Sequence, residues 1–561
     1  MIEFKEEITK ILEPIIKIEK SLIEKPPNPE FGDYSIPCFK LAKEFRKDPK
    51  QIAEELAKKI TLGIYFSSVK NIGAYLNFFV SREELIKNNL TYIFKKKEEF
   101  GSQIIGQNKT LVVDFSSPNI AKPFGIAHLR STVIGNALCN IFSKLGYKII
   151  KINHLGDWGT QFGKLMVAFD EWGDEKNLEE NAIDYLVKIY IEFGQKVKDN
   201  PDLNEKARKS FKNLENGAHK ETKYWERFRE LSLEEFQKYY DRLNISFDYF
   251  QGESFYNNKL TDTINFLKDN IQTEISEKAL ITKLEDKGIK TPMIIQKSDG
   301  ASTYHTRDIA AALYRIKEYN PEKILYVVGA PQKLHFKQLF AVLDNLGFDE
   351  NKFIHIDFGT MTYEGVMMST RQGNFIPLSE VLDKVINAAR EIIEEKNPDL
   401  PEKSLVSEQV GIGAIIFGDL SNDRTNDIDF SWQKALDFKG ETAPYIQYTH
   451  ARICSILRKS EDKLNIVVNF NLLKEDIEFE LIKILGEYRE IIQKAAIDYK
   501  PHIIASYLIE VSQTFNKFYN ICNILKEYKE LREARLLLAE CTRIILKNGL
   551  NILGISAPKN M

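Results

Sequence analysis

The stretch DFSSPNIAKPFGIAHLRSTVIGNALCNIFSKLGYKIIKINHLGDWGTQFG, residues 114–163, decides the architecture. Leu111, Val112 and Val113 precede it as an apolar run that reads as a strand. A loop with Pro118, Pro123 and Gly125 follows. Leu129, Val133, Ile134, Ala137, Leu138 and Ile141 then recur at helical spacing. Strand, loop and helix in this order offer a nucleoside triphosphate free backbone N–H groups and the positive helix end. Gly125 and Ala127 are small enough to let a ligand approach the backbone. His128 stands at the helix start, where an imidazole can donate to a phosphate oxygen. Such loops also occur in doubly wound sheets that bind nothing.

Outside this stretch, composition sets bounds. A chain of 561 residues holds about three to four domains. Its apolar fraction of 43% is that of a globular protein. A net charge of −3 excludes a globally basic nucleic-acid binder, so any nucleic-acid surface is a local patch. Cys38, Cys139, Cys454, Cys522 and Cys541 lie far apart, which argues against a structural zinc or a disulfide framework and for a reducing, cytoplasmic setting. The first twenty residues read as an amphipathic helix and not as a signal peptide. No run approaches the roughly 20 apolar residues needed to span a bilayer.

Along the chain, residues 1–100 mix helical periodicity with short strands such as Ile72–Val80, and Lys95–Glu99 with Gly101 mark a boundary. Residues 106–375 read as α/β, a Rossmann-like parallel sheet interrupted by a charged, aromatic helical insertion at about 174–245. Strand–helix alternation resumes from Ile281, with the buried strand Ile324–Val328 between the helices Asp308–Ile316 and Lys333–Leu346. Residues 376–440 read as a helical connection and 441–561 as an all-α bundle. Ligands of such a sheet sit at the carboxyl ends of its strands, at the switch point.

The 114–163 stretch also resembles the class I arginyl-tRNA synthetases. Ser117-Pro118-Asn119-Ile120-Ala121-Lys122-Pro123 is similar to the family's S-P-N-x-A-K-P run. Gly125-Ile126-Ala127-His128 stands for its His-x-Gly-His signature, followed by Leu129-Arg130-Ser131-Thr132 and by Asn153–Gly163. Two positions depart: Gly125 replaces the first histidine and Ala127 replaces the glycine. The second signature loop reads Met367-Met368-Ser369-Thr370-Arg371-Gln372-Gly373-Asn374, with both lysines of the Lys-Met-Ser-Lys pattern lost.

The resemblance implies an enzyme that activates L-arginine with ATP, accompanied by Mg²⁺, and transfers it to tRNA(Arg), acting as a monomer without a protein-held metal. It implies ATP contacts at Gly125, Ala127, His128, Met368 and Ser369 and catalytic charges at His128, Lys122 and Arg371. Lys122 would replace the lost loop lysine; Arg371 also fits a solvated loop residue. Arginine would be read by Tyr304 and Asp308, four residues apart on one side of a helix start, with Gln332 and Glu253 beside them. Asp114 and Asn119 match the positions that hold its amino and carboxylate ends. His154, Asp157 and Gln161 would shape the site, with Trp158 in the core. For tRNA, the N-terminal region would use Tyr75 and Asn77, and the bundle Tyr448, Tyr519 and Met561. Alternation at Tyr75 and Asn77 fits a half-buried strand equally, and Tyr519 beside Phe515 and Phe518 fits helix packing. Because two signatures are eroded, the alternative is a non-catalytic RNA-binding paralogue.

Overall fold

The computed structural model describes residues 4–363, 365–367, 376–435, 440–460 and 464–561. Met368, Ser369 and Arg371, on which three of the expected contacts fall, lie outside the described residues.

Tyr34–Pro37 (β1), Phe66–Ile72 (β2) and Tyr75–Val80 (β3) form an antiparallel sheet in the order β1-β3-β2. Leu76, Phe78 and Val80 are buried, and Phe66 packs on the rings of Phe4 and Phe78. Simple alternation would leave Asn77 in solvent, but only 2% of it is exposed. The turn at Gly32 crosses above it, with a φ of +125° and the position of an added Cβ 3.4 Å from the Asn77 Cβ. Helix Arg82–Lys96 then leads away, and Asn89 on it donates to the carbonyl of Ile482 in the C-terminal helices.

The central sheet is parallel throughout, built from Thr110–Asp114 (β4), Lys148–Asn153 (β5), Tyr249–Phe250 (β6), Lys323–Gly329 (β10) and Phe353–Phe358 (β11). Its order is β11-β10-β4-β5-β6. Helix Ile126–Lys144 connects β4 to β5, and helix Lys333–Asn345 connects β10 to β11. The chain winds outward in opposite directions from β4 and β10, so their carboxyl ends frame the switch point. Leu111, Val112 and Val113 are fully buried, as strands covered on both faces must be.

Between β5 and β6 lie the helices Glu175–Glu180, Ala182–Asp199, Asp202–Glu215 and His219–Leu243. The strand pattern near Ile281 has a different outcome. Glu274–Ser276 (β7), Ala279–Leu284 (β8) and Ile289–Gln296 (β9) form their own antiparallel sheet and do not join the parallel one. Glu277 and Lys278 both adopt positive φ, the geometry of a tight hairpin turn, which folds β8 back on β7. From residue 378 the described chain is helical except for Ile428–Phe430, which pairs with Met361–Tyr363.

One buried ion pair joins this helical part to helix Ile126–Lys144. Arg130 Nε lies 3.1 Å from Asp419 Oδ2, with both side chains almost wholly buried. The Arg130 guanidinium also donates to the carbonyls of Gly359, Thr360, Arg424 and Asn426. Removing one partner of a buried pair leaves an uncompensated charge. Arg130→Met is expected to lower stability by about 3–5 kcal/mol, read as a fall in the urea midpoint; an unmoved midpoint would mean that this contact does not tie the two regions together.

Candidate active site

The loop from β4 to helix Ile126–Lys144 is held in an uncommon backbone shape. Ser116, Ser117 and Ala121 have φ of 72°, 48° and 58°. Left-handed conformations cost non-glycine residues on the order of 1–3 kcal/mol each and persist only where surroundings fix them. Here the fixing groups come from afar. Ser116 N donates to Ser131 Oγ at 2.9 Å, and Ser116 Oγ lies 2.8 Å from Tyr240 Oη. Ser117 N donates to Asn153 Oδ1, and Ala121 N donates to Ser232 Oγ at 2.9 Å. Ser232 and Tyr240 belong to the last insertion helix and are fully buried. Glycine at 156 lets the Asn119 side chain close on the backbone, since a Cβ there would lie 2.2 Å from Asn119 Oδ1.

At the helix start, Gly125 N donates to His128 Nδ1 at 3.1 Å. That assigns the His128 proton to Nε2, the nitrogen left to donate outward. Burial, with the Lys122 charge second, pushes the His128 pKa down to about 4, so the ring is neutral at pH 7. Ala127 is exposed, while Lys122 and Asn119 are half-buried. Gly125 is buried and bridges to Pro377, while Leu378 N donates to the carbonyl of Phe124. The first signature is thereby joined to the residues that follow the second.

The acidic groups gather across the switch point. Thr303 caps helix Tyr304–Tyr319 by accepting from Thr306 N. Tyr304 and Asp308 project from its first turns. Asp308 Oδ2 is 2.7 Å from His335 Nε2, and Asp308 Oδ1 is 3.6 Å from His154 Nε2. Burial would raise the Asp308 pKa, but His335, His154 and Arg315 outweigh it and hold it below the usual carboxylate value. The Tyr304 ring is half exposed and stacks at 3.9 Å on His305, with His335 at 5.0 Å. Gln332 is exposed at the end of the turn Ala330–Gln332, directly after β10.

Glu253 joins this group through a tight corner. A Cβ at Gly252 would lie 2.5 Å from the Asp157 carboxyl, so glycine lets the next residues close on it. Fully buried Asp157 accepts from Ser254 N and Ser254 Oγ, both at 2.8 Å, and from Arg229 Nε at 3.3 Å. Burial raises the Glu253 pKa to about 7, against the Arg307 charge and with the help of Asp308 and Asp157. Asp114 is 5% exposed and already engaged: Oδ2 is 2.8 Å from Arg315 Nη1, and Oδ1 accepts from Ser117 Oγ. Arg315 is absent from the motifs; its only signal is its place seven residues after Asp308 on one helix.

Trp158 is half-buried: it packs against the rim of the main core and also lines a cavity of about 590 Å³ with Trp225, Arg229, Phe255 and Arg307. Among the described residues no three His, Cys, Asp or Glu side chains form a metal-holding group. Among the described residues no helix is long and apolar enough to cross a membrane.

The residues matched to tRNA contacts divide. Tyr75 is exposed and meets Phe39 edge-to-face at 5.8 Å, an exposed partner that no motif marks. Asn77 is buried and donates to the carbonyl of Tyr75. Tyr448 and Tyr519 come together around Arg452, whose guanidinium lies 4.8 Å and 5.4 Å from their rings. Tyr519 also stacks on Phe515. Met561 packs against the Ala389, Ile393 and Leu400 cluster, and its carbonyl accepts from Asn397.

Comparison with known proteins agrees along the chain. Residues 89–432 match the family "tRNA synthetases class I (R), catalytic domain", 446–561 match the "DALR anticodon binding domain", and 2–80 match the "Arginyl tRNA synthetase N terminal domain". An arginine–tRNA ligase of Halothermothrix orenii is 45% identical over 567 residues, covering 100% of both chains. Arginine–tRNA ligase 1 of Bacillus cereus is 46% identical over 541 residues, covering 96% of this chain and 95% of its own. The arginyl-tRNA synthetase structures of Thermus thermophilus and Plasmodium falciparum superpose with TM-scores of 0.83 and 0.82 at 26% identity, each covering 100% of this chain and 99% of its own. None of these relatives supports a non-catalytic paralogue. With its parallel sheet and this similarity over its whole length, the chain belongs to the class I arginyl-tRNA synthetases, the arginine–tRNA ligases.

Proposed function

We propose that the chain joins L-arginine to tRNA(Arg) in two steps, with ATP and its accompanying Mg²⁺ as substrate. In the first, the arginine carboxylate attacks the α-phosphorus and pyrophosphate leaves. In the second, a hydroxyl at the tRNA 3′ end attacks the carbonyl of the adenylate and AMP leaves. The enzyme's part is positioning and charge. His128 contributes a neutral Nε2–H donor to the phosphates, so the positive charge on this side falls to Lys122 and, in this reading, Arg371. Arg371, Met368 and Ser369 complete the nucleotide contacts in this reading by their match to the second signature.

The observation that carries the reading is the convergence of Tyr304 and Asp308, from the first turns of one helix, with Glu253, from the corner after β6. A guanidinium takes carboxylates bidentately, which lysine cannot match and uncharged citrulline cannot repay. Gln332 closes the pocket on the β10 side. Asn119 holds the amino-acid end of the substrate, with Asp114 behind it. We assign residues 1–100 to contact with the tRNA elbow through Tyr75, 106–375 to catalysis, 376–440 to connection, and 441–561 to the anticodon through Tyr448 and Tyr519, with Met561 anchoring the tail. Arg452 between the two tyrosines supports a stacking platform, worth about 1–3 kcal/mol per base. Five free, buried cysteines support a reducing cytoplasm, and we propose a monomer.

Pyrophosphate release is expected to require arginine and, by the family resemblance, bound tRNA; release without arginine would refute the reading. In the same assay Asp308→Asn should lose about 3 kcal/mol or more in arginine use with little change toward ATP. A near-normal arginine KM would make Asp308 a mere helix-end residue.

Glu253 adds a pH dependence. A guanidinium prefers the carboxylate, so arginine affinity should rise as pH increases through about 7, where Glu253 ionises. Asp308 stays charged across that range and contributes no step. Glu253→Gln should give a higher arginine KM that is flat from about pH 6 to 8. An undiminished pH step in that variant would move its origin to another group.

A further inference from the structure

We propose that Arg315 is a positioning residue that couples the two ends of the amino-acid pocket: it clamps Asp114 at the end of β4 and, through His154, orients Asp308. The inference rests on the arginine-ligase reading of the same pocket. Arg315 is 1% exposed and so acts only through its neighbours. It shares helix Tyr304–Tyr319 with Asp308, two turns further along the same face. Nη1 lies 2.8 Å from Asp114 Oδ2, and Nη2 lies 3.3 Å from His154 Nδ1.

A guanidinium can only donate. His154 Nδ1 must therefore accept, and the ring's proton sits on Nε2. That nitrogen points at Asp308 Oδ1, 3.6 Å away, a separation that can tighten when ligand binds. Tyr256 stacks on the His154 ring at 5.8 Å and limits its tilt. On the other side His335 Nε2 stands 2.7 Å from Asp308 Oδ2. Asp308 is thus flanked by two imidazoles, and Arg315 dictates which nitrogen one of them presents. Without Arg315, His154 is free to carry its proton on Nδ1 and turn a lone pair toward the carboxylate. Asp114 would at the same time lose its ionic partner, and the strand end and the helix would lose their common tie.

Lysine at 315 can neutralise Asp114 but is a point charge and does not bridge two acceptors in a fixed fork. Glutamine at 154 places an amide near the Nε2 position, whereas asparagine reaches only the Nδ1 position. The test measures arginine KM, ATP KM and kcat in tRNA-dependent pyrophosphate release, together with melting temperature, for the full chain. Arg315→Lys and His154→Asn are expected to raise arginine KM about tenfold or more, with ATP KM within about twofold. His154→Gln should return arginine KM to within about threefold of the unaltered chain, and the Arg315→Lys/His154→Asn double variant should be no worse than the stronger single variant. Arginine KM unmoved in both single variants, or arginine and ATP KM displaced equally with no rescue by glutamine, would overturn the inference while an active unaltered chain keeps the ligase reading. An unaltered chain with no arginine-dependent release would overturn both.

Discussion

The parallel pairing of β4 with β10 is the constraint on which the rest depends. It sets Tyr326 directly beside Asp114 and brings two distant parts of the chain to one sheet edge. From β4 comes the loop that leads to His128; from β10 comes the turn that leads to Gln332 and His335. Helix Tyr304–Tyr319, which feeds β10, lays Asp308 and Arg315 across the gap, and the Arg315–Asp114 contact closes it. A one-residue slip in this pairing would turn Asp114 to the other face of the sheet and break the whole arrangement.

The two sides of that gap have opposite electrostatic characters. On the side of His128 the imidazole is kept neutral by burial, so in the proposed reading it offers the nucleotide a hydrogen-bond donor and not a charge. Across the gap, carboxylates lie near imidazole and guanidinium groups, and at Asp308 these outweigh the upward pull of burial and hold its pKa below the usual carboxylate value. Glu253, with less compensation, is driven up to about 7. Two carboxyl groups in one pocket thus differ in ionisation because their neighbours differ.

Much of this was legible in the sequence wherever the signal was local. Apolar runs located β4 and β10, and helical periodicity located Ile126–Lys144 to within a few residues. The insertion helices fell within the expected interval. What escaped were properties of chain crossings. The Gly32 turn that buries Asn77, the hairpin that separates β7–β9 from the main sheet, and the Phe39 ring beside Tyr75 all depend on contacts that periodicity does not encode. Arg315 escaped for the same reason: an arginine late in an amphipathic helix looks like a solvated face until the sheet places Asp114 opposite it. Ser232 and Tyr240 are legible only once the insertion helix packs on the loop after β4.

The central claim is that this pocket recognises a guanidinium by its charge and its forked donors. It is tested most directly by comparing kcat/KM for arginine and for citrulline, its uncharged near-isostere, in acylation of tRNA(Arg). A site built around paired carboxylates should favour arginine by about a thousandfold or more. A preference of about tenfold or less would mean that shape alone selects the substrate, and that Asp308 and Glu253 do not read the guanidinium.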